Sequence, residues 1–100
     1  MEKIETEYGY KKVYANGDTY HYNHQDELHN PNGPAVEYAS GYKKYFINGL
    51  PHRTDGPAYD YADGDKLYYK HGKLHRTDGP AVIFEGLKLH FVNGRYVWQK

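Results

Sequence analysis

The segment His52-Arg53-Thr54-Asp55-Gly56-Pro57-Ala58 recurs unchanged 23 residues later as His75-Arg76-Thr77-Asp78-Gly79-Pro80-Ala81. An altered copy, His29-Asn30-Pro31-Asn32-Gly33-Pro34-Ala35, lies 23 residues earlier. A fixed period of this length is typical of repeat proteins, in which each unit is one supersecondary element that packs against its neighbours. The period predicts a single repeat domain over residues 1–100. Its units are predicted at residues 29–51, 52–74 and 75–98, after a degenerate unit at 11–28.

The composition of the 100-residue chain fits one thin domain and argues against several classes of protein. Lysine and arginine together number 13, equal to the 13 acidic residues, so the positive charge typical of a nucleic-acid binder is missing. No apolar run approaches the roughly 18 residues of a membrane span, and residues 1–12 lack the pattern of a signal peptide. The lack of cysteine fits a reducing compartment, so we expect a cytoplasmic protein. The 13 tyrosines favour a pleated, partly solvated β surface.

Each unit contains two short segments that are separated by glycine turns. In the unit at 29–51, residues 35–38 precede the turn at 39–41, and residues 42–47 lead to Asn48-Gly49, a pair that favours the positive φ angles of tight turns. Antiparallel pairing across the first turn of each unit then brings opposite charges together in two of the units. The predicted pairs are Glu37 with Lys43, Asp60 with Lys66 and, across a two-residue loop in the last unit, Ile83 with Lys88.

We therefore predict an all-β fold in which tandem antiparallel β-hairpins, about 23 residues each, form one elongated, curled, single-layer sheet. Because side chains alternate along a strand, such a sheet has two faces. One face, predicted to be the core or a curled groove, is aromatic and aliphatic and holds Tyr14, Tyr20, Tyr22, Val36, Tyr38, Phe46, Tyr59, Tyr61, Leu67, Tyr69, Val82, Phe84, Leu87, Leu89 and Phe91. The other face carries a lysine row, Lys43, Lys66 and Lys88, beside a second row of His21, Tyr45, Tyr68 and His90.

Residues 64–75, Gly64-Asp65-Lys66-Leu67-Tyr68-Tyr69-Lys70-His71-Gly72-Lys73-Leu74-His75, resemble the MORN repeat, a hairpin with a Gly-x-x-x-Tyr/Trp-x-x-Gly-Lys-x-His core. The segment His-Arg-x-Asp-Gly-Pro-Ala after Gly-Lys-x is similar to a variant form found in uncharacterised proteins of bacteria, phages and large viruses. The resemblance covers residues 13–94 and implies consecutive hairpins in one curled sheet. MORN-like arrays serve as scaffolds, lipid-associated surfaces or appendages to enzymes. The Arg-Thr-Asp insertion departs from the plain repeat, so we expect no membrane partner.

The polar residues that recur in each unit are predicted to shape turns. An Asp before Gly satisfies backbone donors in a tight turn, and an Arg can pair with the Asp of a neighbouring unit. The predicted turn residues are His52, Arg53, Asp55, Gly56, His75, Arg76, Asp78 and Gly79. The Arg-Thr-Asp triplets could also mimic an acid–base site. A catalytic constellation normally occurs once, however, whereas this triplet occurs twice. We therefore predict that the chain is not an enzyme.

The seven histidines invite a metal hypothesis, which the repeat disfavours. His29, His52 and His75 recur once per unit, so two strand spacings, about 9.5 Å, separate neighbouring copies. A shared zinc ion needs its nitrogen ligands about 2.1 Å away. We expect neither a metal site nor a cofactor.

The second face of the predicted sheet is the candidate surface for a protein partner. Tyrosine offers rigid contact area at low entropic cost, and tyrosine and tryptophan are enriched in interface hot spots. The candidate contact residues are Lys43, Tyr45, Lys66, Tyr68, Lys88, His90 and Trp98. Trp98 takes the place of Arg53 and Arg76, and its alternative role is to cap the last sheet edge. Open edges also permit a homodimer.

The resemblance to phage-type repeats implies a stand-alone effector that binds and inhibits a host complex, such as a defence complex, in the host cytoplasm. Two alternatives stay open. A nucleic-acid binder would run the lysine row along a backbone and stack bases on Tyr45, Tyr68 and His90, although zero net charge, Glu37 and Asp60 disfavour it. A small-ligand or nucleotide trap would use aromatic residues in the curled groove or between protomers.

Overall fold

The computed structural model describes residues 1–97, and the regular structure in that range is entirely β-strand. The three longest strands come first, as β1 (Glu2–Thr6), β2 (Gly9–Val13) and β3 (Thr19–Asn23). The shorter strands of the repeat units are, in chain order, β4 (Val36–Glu37), β5 (Lys43–Lys44), β6 (Phe46–Ile47), β7 (Leu50–Pro51), β8 (Tyr59–Asp60), β9 (Lys66–Leu67), β10 (Tyr69–Lys70), β11 (Lys73–Leu74), β12 (Val82–Phe84), β13 (Leu87–Leu89), β14 (Phe91–Val92) and β15 (Arg95–Tyr96). In this range no helix is long and apolar enough to cross a membrane.

Nine of these strands form one open antiparallel sheet in the order β1-β2-β3-β4-β5-β8-β9-β12-β13. Each unit contributes its first hairpin to this sheet, namely β4–β5, β8–β9 and β12–β13. The second hairpin of each unit, β6–β7, β10–β11 or β14–β15, forms a separate two-stranded sheet. The prediction of an all-β array of antiparallel hairpins is confirmed, and the molecule is elongated, at 50 × 26 × 17 Å.

The predicted register of the first hairpins is confirmed. Glu37 lies opposite Lys43, Asp60 opposite Lys66, and Ile83 opposite Lys88. The last pairing depends on the two-residue turn Glu85-Gly86, whose φ angles of 50° and 82° fit a tight hairpin turn. Turn length therefore sets the register that the sequence pattern indicated.

The second segment of each unit is not one continuous strand, which corrects the prediction for residues 42–47 and their equivalents. Tyr45 N–H still donates to the Ala58 carbonyl at 2.7 Å, in register with the Lys44–Tyr59 pair. The strand is interrupted at Tyr45 because its carbonyl accepts from His52 N–H at 3.0 Å instead of continuing the pairing. The chain leaves the large sheet at this point and folds back as the β6–β7 hairpin. The strand β1, which pairs with β2, was not predicted.

The core of the array is thin and is built from one small residue per unit. Ala35, Ala58 and Ala81 have no exposed surface, and Val36 and Phe46 are 1% and 9% exposed. The half-buried side chains around this cluster are Tyr20, Leu28, Tyr38 and Tyr59. Val36 and Phe46 belong to the predicted aromatic face, but each alanine precedes a residue of that face and so points to the other side. Tyr14, Phe84 and Leu87 of the aromatic face are exposed. The aromatic face therefore supplies only part of the core.

Candidate functional site

The repeated histidines hold the second hairpin of each unit in place. His52 Nδ1 accepts a hydrogen bond from the backbone N–H of His71 at 2.9 Å, and His75 Nδ1 accepts one from Asn93 N–H at the same distance. His29 makes the equivalent bond to Asn48. Burial, together with the nearby His71 and Lys70, lowers the pKa of His52, which keeps the accepting neutral imidazole present.

The repeated arginines stack on the tyrosines of the row that was predicted to bind a partner. The Cζ of Arg53 lies 3.9 Å from the ring centroid of Tyr45, and the Cζ of Arg76 lies 4.1 Å from that of Tyr68. This is the geometry of a cation–π contact. One face of each tyrosine is thus covered by the protein itself.

The loop fixes each arginine from its other side. Arg53 Nε donates to Asp55 Oδ1 at 2.9 Å, and its terminal nitrogen donates to the Pro57 carbonyl at 3.1 Å. Arg76 makes the same pair of bonds to Asp78 and Pro80. The predicted pairing of arginine with a neighbouring unit's aspartate was wrong, because each arginine binds the aspartate of its own loop. Only Thr54 or Thr77 separates the partners in each loop, so the nearer carboxylate binds the guanidinium.

The pairing of arginine with tyrosine was missed, yet a signal for it exists in the sequence. Arg53 and Arg76 each follow a tyrosine by eight residues, at Tyr45 and Tyr68. In the two units where the arginine position holds Asn30 or Trp98, the tyrosine position holds histidine instead, at His21 and His90. The two positions therefore change together within this one chain.

Lysines of the second face do not form a continuous basic track. Register places Lys43 between Glu37 and Asp60, and Lys66 between Asp60 and Ile83. Lys66 Nζ lies 3.2 Å from Asp60 Oδ1. Acidic side chains interleave with the lysines, so a polyanion would meet alternating attraction and repulsion along this row.

Within residues 1–97, three similar grooves lie beside the Gly-Pro loops of the units, and we name them the loop grooves. Their volumes are about 490, 470 and 550 Å³ in chain order. Tyr45 lines the first, Tyr68 the second and His90 the third, while Arg53 or Arg76 lines each of them. Lys43, Lys66 and Lys88 are absent from these described linings. Of the seven candidate contact residues, the structure brings three into equivalent grooves, and Trp98 lies outside the described residues.

A ladder of aromatic rings crosses the opposite face. Tyr42 stacks on Tyr61 with ring centroids 4.0 Å apart, and the contacts continue to Tyr38 on one side and Phe84 on the other. Burial and the hydrogen bond to Tyr61 raise the pKa of Tyr42, and the hydrogen bond to Asp26 raises the pKa of Tyr10 to about 12. These phenols stay neutral near pH 7, which suits packing better than proton transfer.

Groups that could coordinate a metal are spread out along the array. Within residues 1–97, no three His, Asp or Glu side chains lie close enough together to hold a metal ion. Comparisons with protein-family models, with curated proteins and with solved structures gave no match to this chain.

Proposed function

We propose that this chain is a non-enzymatic protein-binding module that engages its partner through the loop grooves. The observation that carries the proposal is the threefold recurrence of one groove, with an aromatic floor and an arginine in its wall. A single continuous partner surface can contact repeated sites of this kind, as in other repeat proteins.

The chemistry of the groove walls supports protein recognition. Tyrosine and arginine are the residue types enriched in binding hot spots. Arg53 and Arg76 are held by a ring, a carboxylate and a carbonyl, so little side-chain entropy is lost when a partner docks. A typical interface of about 800 Å² per partner would use roughly one eighth of the 6371 Å² accessible surface.

The same contacts support a role without chemistry. The groups that could form an acid–base site already bind within their own unit: the histidine to the second hairpin, and the arginine and aspartate to each other. The interleaved acids of the lysine row favour a protein over a nucleic acid as the partner. The resemblance to phage-type repeats supports a narrower proposal, in which the partner is a host complex such as a defence complex that the chain inhibits.

Affinity capture followed by mass spectrometry tests the proposal. Thr54 and Thr77 are exposed side chains in the second loop groove and make no side-chain hydrogen bond among the described residues, so Thr54→Arg with Thr77→Arg should fill the groove without disturbing its scaffold. We expect the double variant to lose the partner that the native chain captures.

Ser40→Arg is the matched control, because Ser40 is also exposed but lies in a first-hairpin turn outside the loop grooves. It should retain the partner. Equal capture by the double variant and by Ser40→Arg would place the binding surface elsewhere. Capture of nothing beyond background by the native chain, from every plausible host, would remove the proposal.

A further inference from the structure

A pocket beside the first turn of the array differs in character from the loop grooves. It has a volume of about 450 Å³ and is lined by Tyr14, Ala15, Asn16, Asp18, Tyr20 and Tyr22. Tyr14 and Tyr20 meet nearly at right angles, with ring centroids 5.6 Å apart and planes at 82°. Tyr22 follows Tyr20 by two residues on β3 and supplies a third aromatic wall.

The charged side chains of this pocket differ from those of the loop grooves, in which arginine and aspartate occur together. Within the described residues its lining contains one carboxylate, from Asp18, and no basic side chain. Asp18 is held firmly, because Oδ1 accepts from the Ala39 N–H at 2.8 Å and Oδ2 accepts from the Asn16 amide at 3.1 Å. A bound cation would therefore meet a negative charge that is already positioned.

Ammonium groups already occupy ring faces on this side of the sheet. Lys3 Nζ lies 4.3 Å from the ring centroid of Tyr10, and Lys12 Nζ lies 5.4 Å from that of Tyr22. A cation within about 6 Å of a tyrosine centroid is attracted by the ring's quadrupole. Lys12 does not line the pocket, but its ammonium group lies over one of the pocket's rings and would repel a second cation there.

We propose that Tyr14, Tyr20, Tyr22 and Asp18 form a cage for a methylated ammonium group. Aromatic walls favour quaternary ammonium over a primary amine, because the methylated cation loses little hydration on entering the pocket. The same chemistry is found on small quaternary amines and on trimethylated lysine side chains. This site is separate from the loop grooves, so it stands or falls independently of the proposed function.

Titration of the isotope-labelled chain by NMR tests the cage. We expect choline to shift the amide signals of residues 14–22 saturably, and 3,3-dimethylbutanol, its neutral isostere, to bind at least about fivefold more weakly. Trimethyllysine amide is titrated in parallel. If it binds more tightly than choline, the natural ligand is a methylated lysine side chain, and if choline binds more tightly, the ligand is a free quaternary amine. Equal binding of choline and the neutral isostere would overturn the proposal, as would the lack of saturable shifts with both cations.

Variants separate the cage from a merely structural cluster. Tyr14→Leu and Asp18→Asn should each weaken choline binding about fivefold, and Asp18→Asn keeps an oxygen that can accept the Ala39 bond. Tyr8→Leu is the matched control, because Tyr8 and Tyr14 are both 38% exposed, and it should leave choline affinity unchanged. Lys12→Gln should tighten choline binding. Unchanged affinity in both cage variants, or weaker binding after Lys12→Gln, would rule the cage out.

Discussion

Position 79 requires glycine because a side chain there would collide with Arg76, and not because of the backbone conformation. Its φ angle is not in the left-handed region, yet a Cβ added there would lie 2.8 Å from the Cζ of Arg76. Gly33 holds the same motif position in the unit where Asn30 replaces arginine, and a Cβ there would lie 3.8 Å from the nearest side-chain atom. The two glycines therefore offer a matched pair.

We expect Gly79→Ala to lower the free energy of unfolding by about 1 kcal/mol, because the guanidinium must leave the Tyr68 ring and its loop bonds. Gly33→Ala should instead be neutral or stabilising by about 0.5 kcal/mol, because alanine restricts the unfolded chain. Urea denaturation of both variants measures the difference. In an Arg76→Asn background the cost of Gly79→Ala should vanish, and an undiminished cost there would contradict the argument.

At the residue scale, the sequence predicted where the turn residues lie but not what they bind. The glycine–proline turns at 56–57 and 79–80 could be located because their backbone chemistry is local. The stacking of Arg53 on Tyr45 joins positions on either side of a hairpin, so no local rule predicts it. The acceptor role of His52 likewise depends on the second hairpin that follows it.

Turn length and cross-strand charge made the first hairpins predictable at the scale of the element. The pairs Asp60–Lys66 and Ile83–Lys88 follow from loops of different length that conserve register. The break at Tyr45 could not be predicted in this way, since its carbonyl accepts from His52 N–H, seven residues further along the chain. Alternation alone makes residues 42–47 look like one strand.

The turn Glu85-Gly86 places a glutamate in the left-handed region of backbone conformation. Glu85 adopts a φ of 50°, a conformation that asparagine tolerates better than glutamate. We expect Glu85→Asn to raise the free energy of unfolding by about 0.5 kcal/mol, and Glu85→Val to lower it because a β-branched residue is strained there. Thermal unfolding measures both, and an equal melting temperature for the two variants would contradict the turn geometry.

The stability of the whole array should depend on histidine protonation. Burial is the largest cause that lowers the pKa of both His52 and His21 below the ordinary value of 6.5. The unfolded state thus binds more protons near this pH, so stability is retained above pH 6.5 and lost as the pH falls toward the lowered pKa values. We expect the urea concentration at the midpoint of unfolding to decrease as the pH is lowered from about 7.5 to about 5.5.

His52→Asn provides the control for this prediction, because asparagine can accept the His71 N–H without titrating in this range. The variant should show a shallower pH dependence than the native chain. A urea midpoint that is constant over the same range in the native chain would contradict the assignment of a neutral acceptor.

The unchanged heptapeptide at 52–58 and 75–81 also bears on how such a chain can change in length. Excision of residues 52–74 would join Pro51 to His75 and restore Pro-His-Arg-Thr-Asp-Gly-Pro-Ala without a foreign junction. Unequal recombination between the two copies in a gene would therefore delete or duplicate one whole repeat unit in frame. The binding surface could then lengthen or shorten by one loop groove at a time, and every product would keep the native junction sequence between its units.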